Sequence, residues 1–219
     1  MKIFCDFDGT VAENDVGNLF FRTFGGQRCL EVVARWKAGE ISSKTCLTLE
    51  CDATRVSREQ MARFADQQKL DPFFGDFVAF CREQRVEVTI VSDGLDFYIE
   101  RILRNHGLAG EVEFRSNRVV FLDGNRIRPE FPYYELGCRR CGNCKGWHVR
   151  EAKAQGHRVV YIGDGLSDRC GAEAADVVFA KRGRDLLRYC RRNGIPCHEF
   201  NDFGEVQRKL TELIPLPAG

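Results

Sequence analysis

Short apolar runs alternate with helix-periodic stretches along this chain. Lys2–Cys5, Glu87–Val91, Arg158–Ile162 and Asp176–Ala180 are brief and rich in β-branched side chains, which predicts strands rather than helices. Around them, apolar positions recur at helical spacing over Phe73–Gln84, Asp96–His106, Gly146–Gln155, Gly183–Arg192 and Phe203–Leu213. Strands and helices in alternation build a parallel sheet covered by helices on both faces. The expected fold is therefore α/β, a three-layer Rossmann-like parallel sheet core.

One connection is longer than this plan requires. Phe73–Gln84 already supplies the crossover between the first two strands, so residues 13–72 are surplus to it. They carry helical patterns at Val16–Phe24, Cys29–Lys37, Ser42–Cys51 and Ser57–Gln67, with Ser42 and Ser57 as N-cap candidates. The expected organisation is a core of residues 1–12 and 73–219, with a small helical cap module, residues 13–72, inserted after the first strand. Val119–Leu122, Asp123-Gly124-Asn125 and Arg126–Arg128 read as a β-hairpin, since Asp-Gly fits a tight turn. Pro215-Leu216-Pro217-Ala218-Gly219 reads as a frayed tail.

Composition narrows the functional classes. A chain of 219 residues, 43% of them hydrophobic, can bury the core of one α/β domain with a modest second module. Lys plus Arg number 33 against 32 Asp plus Glu, so no global field draws the chain to nucleic acid or anionic lipid, and neither is expected as a partner. Recognition of charge has to be local. The first apolar strand is broken at Asp6, far short of a signal-peptide core, and no later run approaches membrane-spanning length; a cytoplasmic location is expected. The 11 cysteines are odd in number and several, such as Cys5, Cys81 and Cys190, stand alone in apolar or helical contexts, which favours reduced thiols.

In a parallel sheet the ligand crevice lies beyond the carboxyl ends of the strands. Three polar, glycine-containing turns fall there: Asp6-Phe7-Asp8-Gly9, Ser92-Asp93-Gly94 and Gly163-Asp164-Gly165. Asp6 and Asp8 are two apart at a strand end, so both side chains can enter the crevice, one as nucleophile toward phosphorus and one as proton donor and acceptor. Two anions facing a phosphate need a divalent cation, for which Asp164 is the natural third ligand, and Mg²⁺ suits such oxygen donors. Ser92 with the backbone N–H groups of Asp93 and Gly94 can hold one phosphoryl oxygen, and Lys145 can neutralise another. Taken singly, each residue has an ordinary reading: a turn at Asp8-Gly9, caps at Ser92 and Asp168, a solvated Lys145. Their order on three strand ends is what argues for a site.

Asp6-Phe7-Asp8-Gly9-Thr10, Ser92, Lys145 and Gly163-Asp164-Gly165-Leu166-Ser167-Asp168 resemble the four motifs of haloacid dehalogenase-type phosphatases. That resemblance implies Asp6 as nucleophile, Asp8 as general acid/base, Mg²⁺ held by Asp6, the Asp8 carbonyl and Asp164, Asp168 as a further acid near metal or Lys145, and a helical cap. Asp8 sets the chain apart from the dehalogenase branch, which lacks this second acid. Asn14-Asp15, Ser92 through Phe97 and Cys141-Gly142-Asn143-Cys144-Lys145 resemble the phosphoserine-phosphatase-like group, and within it the methionine-salvage branch that hydrolyses an enol phosphate. In phosphoserine phosphatases an acidic residue that recognises the amine falls at Asn14 by this comparison, with Glu13 one position off; specificity is expected at these two residues. The implied function is hydrolysis of a small phosphorylated metabolite through a phospho-aspartate, with the methionine-salvage enol phosphate as substrate. Phosphoserine or another small phosphomonoester is the alternative, and a phosphomutase or a non-catalytic sensor a further one. Asp93 departs from these relatives, which usually carry Gly there; an anion beside the phosphate is costly unless its side chain turns away.

Cys138, Cys141 and Cys144 form a C-x-x-C-x-x-C run before Lys145. The spacing allows three thiolates to meet one Zn²⁺, with His148 as fourth ligand. Reduced thiols or a labile disulfide are the alternatives.

Overall fold

The computed structural model describes residues 1–213, so the expected tail at 215–219 lies outside the described residues. Seven strands form one sheet: β1 (Lys2–Cys5), β2 (Glu87–Leu95), β3 (Glu113–Leu122), β4 (Arg126–Glu130), β5 (Val159–Gly163), β6 (Val177–Lys181) and β7 (His198–Phe200). Their order is β4-β3-β2-β1-β5-β6-β7, and every neighbouring pair is parallel except β3 with β4.

Alternation along the central strands sends side chains to two separate cores. Ile3, Cys5, Ile90 and Ile162 face α4 (Phe74–Glu83), α5 (Asp96–Asn105) and α9 (Phe203–Leu213). Phe4, Val91 and Tyr161 face α6 (Lys145–Ala154), α7 (Arg169–Ala174) and α8 (Asp185–Asn193). With both faces covered, β5 is buried along its whole length, as an interior parallel strand requires. This is the three-layer core expected from the sequence.

Between β1 and β2 the chain forms α1 (Val16–Lys37), α2 (Ser43–Ala53) and α3 (Arg58–Ala65). Ser42 and Ser57 cap α2 and α3 as expected: Ser42 Oγ accepts from the Thr45 N–H at 3.1 Å, and Ser57 closes a capping box with Gln60. Two helical segments expected at 16–24 and 29–37 are joined as α1 across a kink at Gly26, whose φ of 63° and ψ of −144° suit glycine alone. The insertion does not build a core of its own. Phe20, Phe64, Cys51 and Met61 continue the apolar cluster of α4 and α5, and the Phe20 ring lies 6.4 Å from Tyr98 of α5.

One strand expectation changes. β3 begins at Glu113, well before Val119, and its first half pairs in parallel with β2 before the second half turns back with β4. The charged and polar residues Glu113, Arg115, Asn117 and Arg118 hide that half from a hydrophobicity pattern. The expected hairpin forms, with Val119–Leu122 antiparallel to β4 through the turn Asp123–Asn125, where Gly124 and Asn125 are both at positive φ.

Candidate active site

β1 lies at the centre of the sheet, with β2 on one side and β5 on the other, and Cys5 pairs with both Ile90 and Ile162. The residues following these three strands therefore meet at one sheet edge, where the chain order reverses.

Asp6 is the first residue after β1. Its N–H donates to Ile162 O at 2.9 Å, continuing the sheet ladder, so the sheet fixes where its carboxylate points. Oδ1 accepts from the Phe7 N–H at 2.8 Å and from Lys145 Nζ at 2.7 Å; among the described residues no hydrogen bond falls on Oδ2. Burial, then repulsion from Asp168, pushes the Asp6 carboxyl well above the usual range, with Lys145 opposing.

The Asp8 carboxyl is held from three elements. Oδ1 accepts from the Gly17 N–H in the first turn of α1 at 2.9 Å; Oδ2 accepts from the Ser92 hydroxyl at 3.1 Å and the Tyr98 hydroxyl at 3.4 Å. Burial, then Asp15, pushes it up to about 7 against these hydrogen bonds. Gly9 follows at φ 75°, and a Cβ there would lie 2.6 Å from Asp164 Oδ2, so this glycine lets the two loops close on each other.

Lys145 opens α6 and is 1% exposed. Its ammonium donates to Asp6 at 2.7 Å, Asp168 Oδ1 at 2.5 Å and Ser167 Oγ at 3.1 Å. Burial alone would lower its pKa; Asp168, Asp6 and Asp93 outweigh burial and hold it well above the usual lysine range. Asp168 Oδ1 also accepts from the Tyr161 hydroxyl at 2.6 Å, and its Oδ2 accepts from the N–H groups of Asp164 and Gly165 at 2.9 and 2.8 Å.

Asp6, Asp164 and Asp168 offer carboxylate oxygens within 4.8 Å of one another. Burial, then Asp168, pushes the Asp164 carboxyl up to about 7. Crowded, desolvated carboxylates of this kind fit a hard divalent cation, which would relieve their repulsion. Asp168 already accepts four hydrogen bonds, which leaves Asp6 and Asp164 as the free carboxylate donors.

These residues border a cavity of about 290 Å³ between the sheet edge and the helices α1 and α2. Asp93, Gly94 and Lys145 line it, whereas Ser92 is fully buried behind them, with its hydroxyl on Asp8 and accepting from the Gly94 N–H at 2.8 Å. Asp93 turns its carboxylate to the Asn143 N–H at 2.6 Å, the orientation its position beside a phosphate demands. Asn143 Nδ2 donates to the Ser92 and Arg115 carbonyls at 3.0 and 2.8 Å, fastening the loop before Lys145 to β2 and β3.

The expected specificity residues are not brought to the cavity. Glu13 and Asn14 are exposed, and Asn14 contributes its backbone carbonyl to the Gly9 N–H at 2.8 Å. The next residue, Asp15, lines the cavity instead, together with Asn18 and, from α2, Ser43, Cys46 and Glu50. Burial pushes the Glu50 carboxyl up to about 8. The signal for Glu50 lay in spacing: Ser43, Cys46, Leu47 and Glu50 form one i, i+3, i+4, i+7 face, with an acid at the end of a buried stripe.

The cysteine run folds beside α6, with the Sγ atoms of Cys138, Cys141 and Cys144 within 4.8 Å of one another. His148 is not available as their fourth partner. Its Nε2 meets Asn143 Oδ1 at 2.6 Å and its Nδ1 meets the Arg115 guanidinium at 3.3 Å, while burial, then Arg115, pushes its pKa down to about 3.

A parallel sheet carrying a buried Asp-x-Asp pair, a lysine and a third acid at one edge defines a phosphoryl-transfer type of site, and comparison with known proteins agrees. Residues 3–173 match the model of the haloacid dehalogenase-like hydrolases, and the chain belongs to that family. It is similar to the 2-hydroxy-3-keto-5-methylthiopentenyl-1-phosphate phosphatase of Bacillus thuringiensis, 27% identical over 99% of this chain and 98% of the relative. It is also similar to the polyol phosphate phosphatase PYP1 of Saccharomyces cerevisiae, 28% identical over 97% and 93%. The fold matches that of a phosphoserine phosphatase solved as a phospho-aspartyl intermediate analogue, with a TM-score of 0.72, 19% identity and 98% of each chain covered. The protein is a phosphomonoester hydrolase of this family.

Proposed function

We propose that this protein is a Mg²⁺-dependent phosphatase that hydrolyses a small phosphorylated metabolite through a phosphorylated Asp6. One observation carries the reading: Asp6 presents an unbonded Oδ2 while Lys145 and the Phe7 N–H fix its Oδ1, with the Asp8 carboxyl two residues on in the same cavity. Asp6 Oδ2 attacks phosphorus, forming an acyl phosphate as the ester P–O bond breaks. Asp8 gives its proton to the departing oxygen, for which a pKa of about 7 suits it. Asp8 then takes a proton from water, whose oxygen attacks phosphorus and releases phosphate and free Asp6. Lys145, held by Asp168, neutralises a phosphoryl oxygen, and Ser92 joins it once its hydroxyl leaves Asp8. Asp6, Asp164 and the Asp8 carbonyl would hold Mg²⁺, which supplies charge neutralisation to the phosphoryl group.

Residues 13–72 act as the cap that chooses the substrate. For that substrate we favour the methionine-salvage enol phosphate, supported by the Bacillus relative, which spans nearly the whole chain. Phosphoserine is the second reading, supported by Asp15 and Glu50 at the cavity, whose carboxylates suit an ammonium. The primary test is Asp6→Asn with an aryl phosphate and Mg²⁺. Native protein should release inorganic phosphate and the folded variant at most a trace; substantial turnover by the variant would refute the mechanism.

A further inference from the structure

The three clustered thiols are joined by a fourth from a different part of the chain. Cys170, in the first turn of α7, lies against the start of α6, where its sulfur accepts from the Gly146 N–H at 3.3 Å, two residues after Cys144. We propose that Cys138, Cys141, Cys144 and Cys170 form a structural four-thiolate Zn²⁺ site that braces the catalytic lysine loop. This site is independent of the phosphatase reading.

The spacing of the sulfurs suits such a site. A tetrahedral ion with Zn–S bonds of about 2.3 Å sets sulfurs about 3.8 Å apart. Cys138 and Cys141 Sγ stand 3.4 Å apart and the three sulfurs of the run lie within 4.8 Å of each other, while the Cys170 sulfur stands outside that group and would close in on the ion. All four cysteines are free of disulfides.

Backbone donors reach two of the four sulfurs. The Cys141 N–H points at Cys138 Sγ at 3.4 Å and the Gly146 N–H at Cys170 Sγ at 3.3 Å. Donors aimed at sulfur stabilise its anionic form, as metal ligation also does. Two glycines allow the chain to pack this tightly. A Cβ on Gly137 would lie 2.3 Å from Cys144 Cβ, and one on Gly146 would lie 2.6 Å from the Cys170 carbonyl oxygen. Binding would release the thiol protons to solvent and leave a dianionic centre, with Arg139 and Arg140 in the same loop to offset it.

The location gives the site its purpose. Cys144 immediately precedes Lys145, and Cys170 stands two residues after Asp168, so the ion would tie together the two loops whose side chains meet at 2.5 Å. Four protein ligands leave no open position, so the role is to position Lys145 rather than to activate water.

The test is metal analysis of protein purified without chelators or immobilised-metal resin. The native chain should carry about one zinc, Cys170→Ser less than a tenth of that, and His148→Gln the native amount. X-ray absorption on the native protein keeps the question decidable if Cys170→Ser fails to fold, because it counts the ligands directly. Four sulfurs at about 2.3 Å support the site. Three sulfurs with one nitrogen, zinc retained in full by Cys170→Ser, or a metal-free protein whose four cysteines are thiols or disulfides would each overturn it.

Discussion

Four donors converge on the two oxygens of Asp168: the Lys145 ammonium, the Tyr161 hydroxyl and two backbone N–H groups. These bonds offset the cost of burying the group and let it hold Lys145 toward Asp6. Glu50 is the contrasting acid, buried on α2 with the Cys46 thiol as its hydrogen-bond donor at 3.6 Å. Its carboxyl titrates near 4.5 when unfolded and about 8 when folded. Between these values the unfolded chain has lost the proton that the folded chain retains, so this residue lowers stability progressively as pH rises through that window, with no further change above it. Glu50→Gln should remove the effect: its unfolding free energy should gain on the native value between pH 5 and pH 8 in urea titrations. Parallel profiles would mean that Glu50 is not held protonated by folding. That Asp6, Asp8 and Asp164 meet at one sheet edge was legible in the sequence because each follows a strand, and Lys145 because it opens a helix there. Asp15 and Glu50 were passed over, since an acid before a helix reads as a cap and one on a helix as a solvated face unless its spacing is set against the buried stripe beside it.

α1 must change direction to line the cavity with both of its halves, Asn18 and Phe21 before the kink and Val33, Trp36 and Lys37 after it. Gly26 supplies the bend from a backbone region closed to other residues, while Gly25 packs so closely that a Cβ would lie 2.3 Å from Cys29 Sγ. Gly26→Ala should therefore cost about 1–3 kcal/mol of stability. It should also raise KM for the natural substrate more than it lowers kcat with a small aryl phosphate, because the displaced half of α1 bears on recognition and not on Asp6. An unchanged melting curve together with unchanged KM would show that the kink is dispensable. The break was visible as Gly25-Gly26 between two periodic segments. β7 and α7 escaped notice for a different reason: three and six residues are too few to establish a period, and tertiary pairing alone makes them regular. Cys170 was missed along with α7, since nothing in the sequence spacing brings that short helix beside the cysteine run.

Across the whole molecule, the proposed mechanism gives the sheet edge the phosphoryl group common to every phosphomonoester and the helical insertion the part that differs between substrates. At the proposed acid/base residue the two touch where the Asp8 carboxyl accepts from the Gly17 N–H of α1, so a change in the insertion reaches it directly. On that proposal, Asp15 and Glu50 would decide between the two candidate substrates. An ammonium in the cavity needs both as anions, and losing an ion pair of this kind costs about 1–3 kcal/mol, or roughly tenfold to over a hundredfold in kcat/KM at about 1.36 kcal/mol per decade. An enol phosphate carries no ammonium, and a protonated Glu50 can donate to its oxygen; the amide of Glu50→Gln preserves that donor. The native enzyme should therefore prefer the enol phosphate to phosphoserine, and Asp15→Asn combined with Glu50→Gln should keep its kcat/KM for the enol phosphate within about tenfold. Steady-state comparison of the two substrates on both proteins provides the measurement. A native preference for phosphoserine that collapses in the double variant would assign Asp15 and Glu50 to amine recognition and remove the enol phosphate as substrate, while Asp6 chemistry would stand.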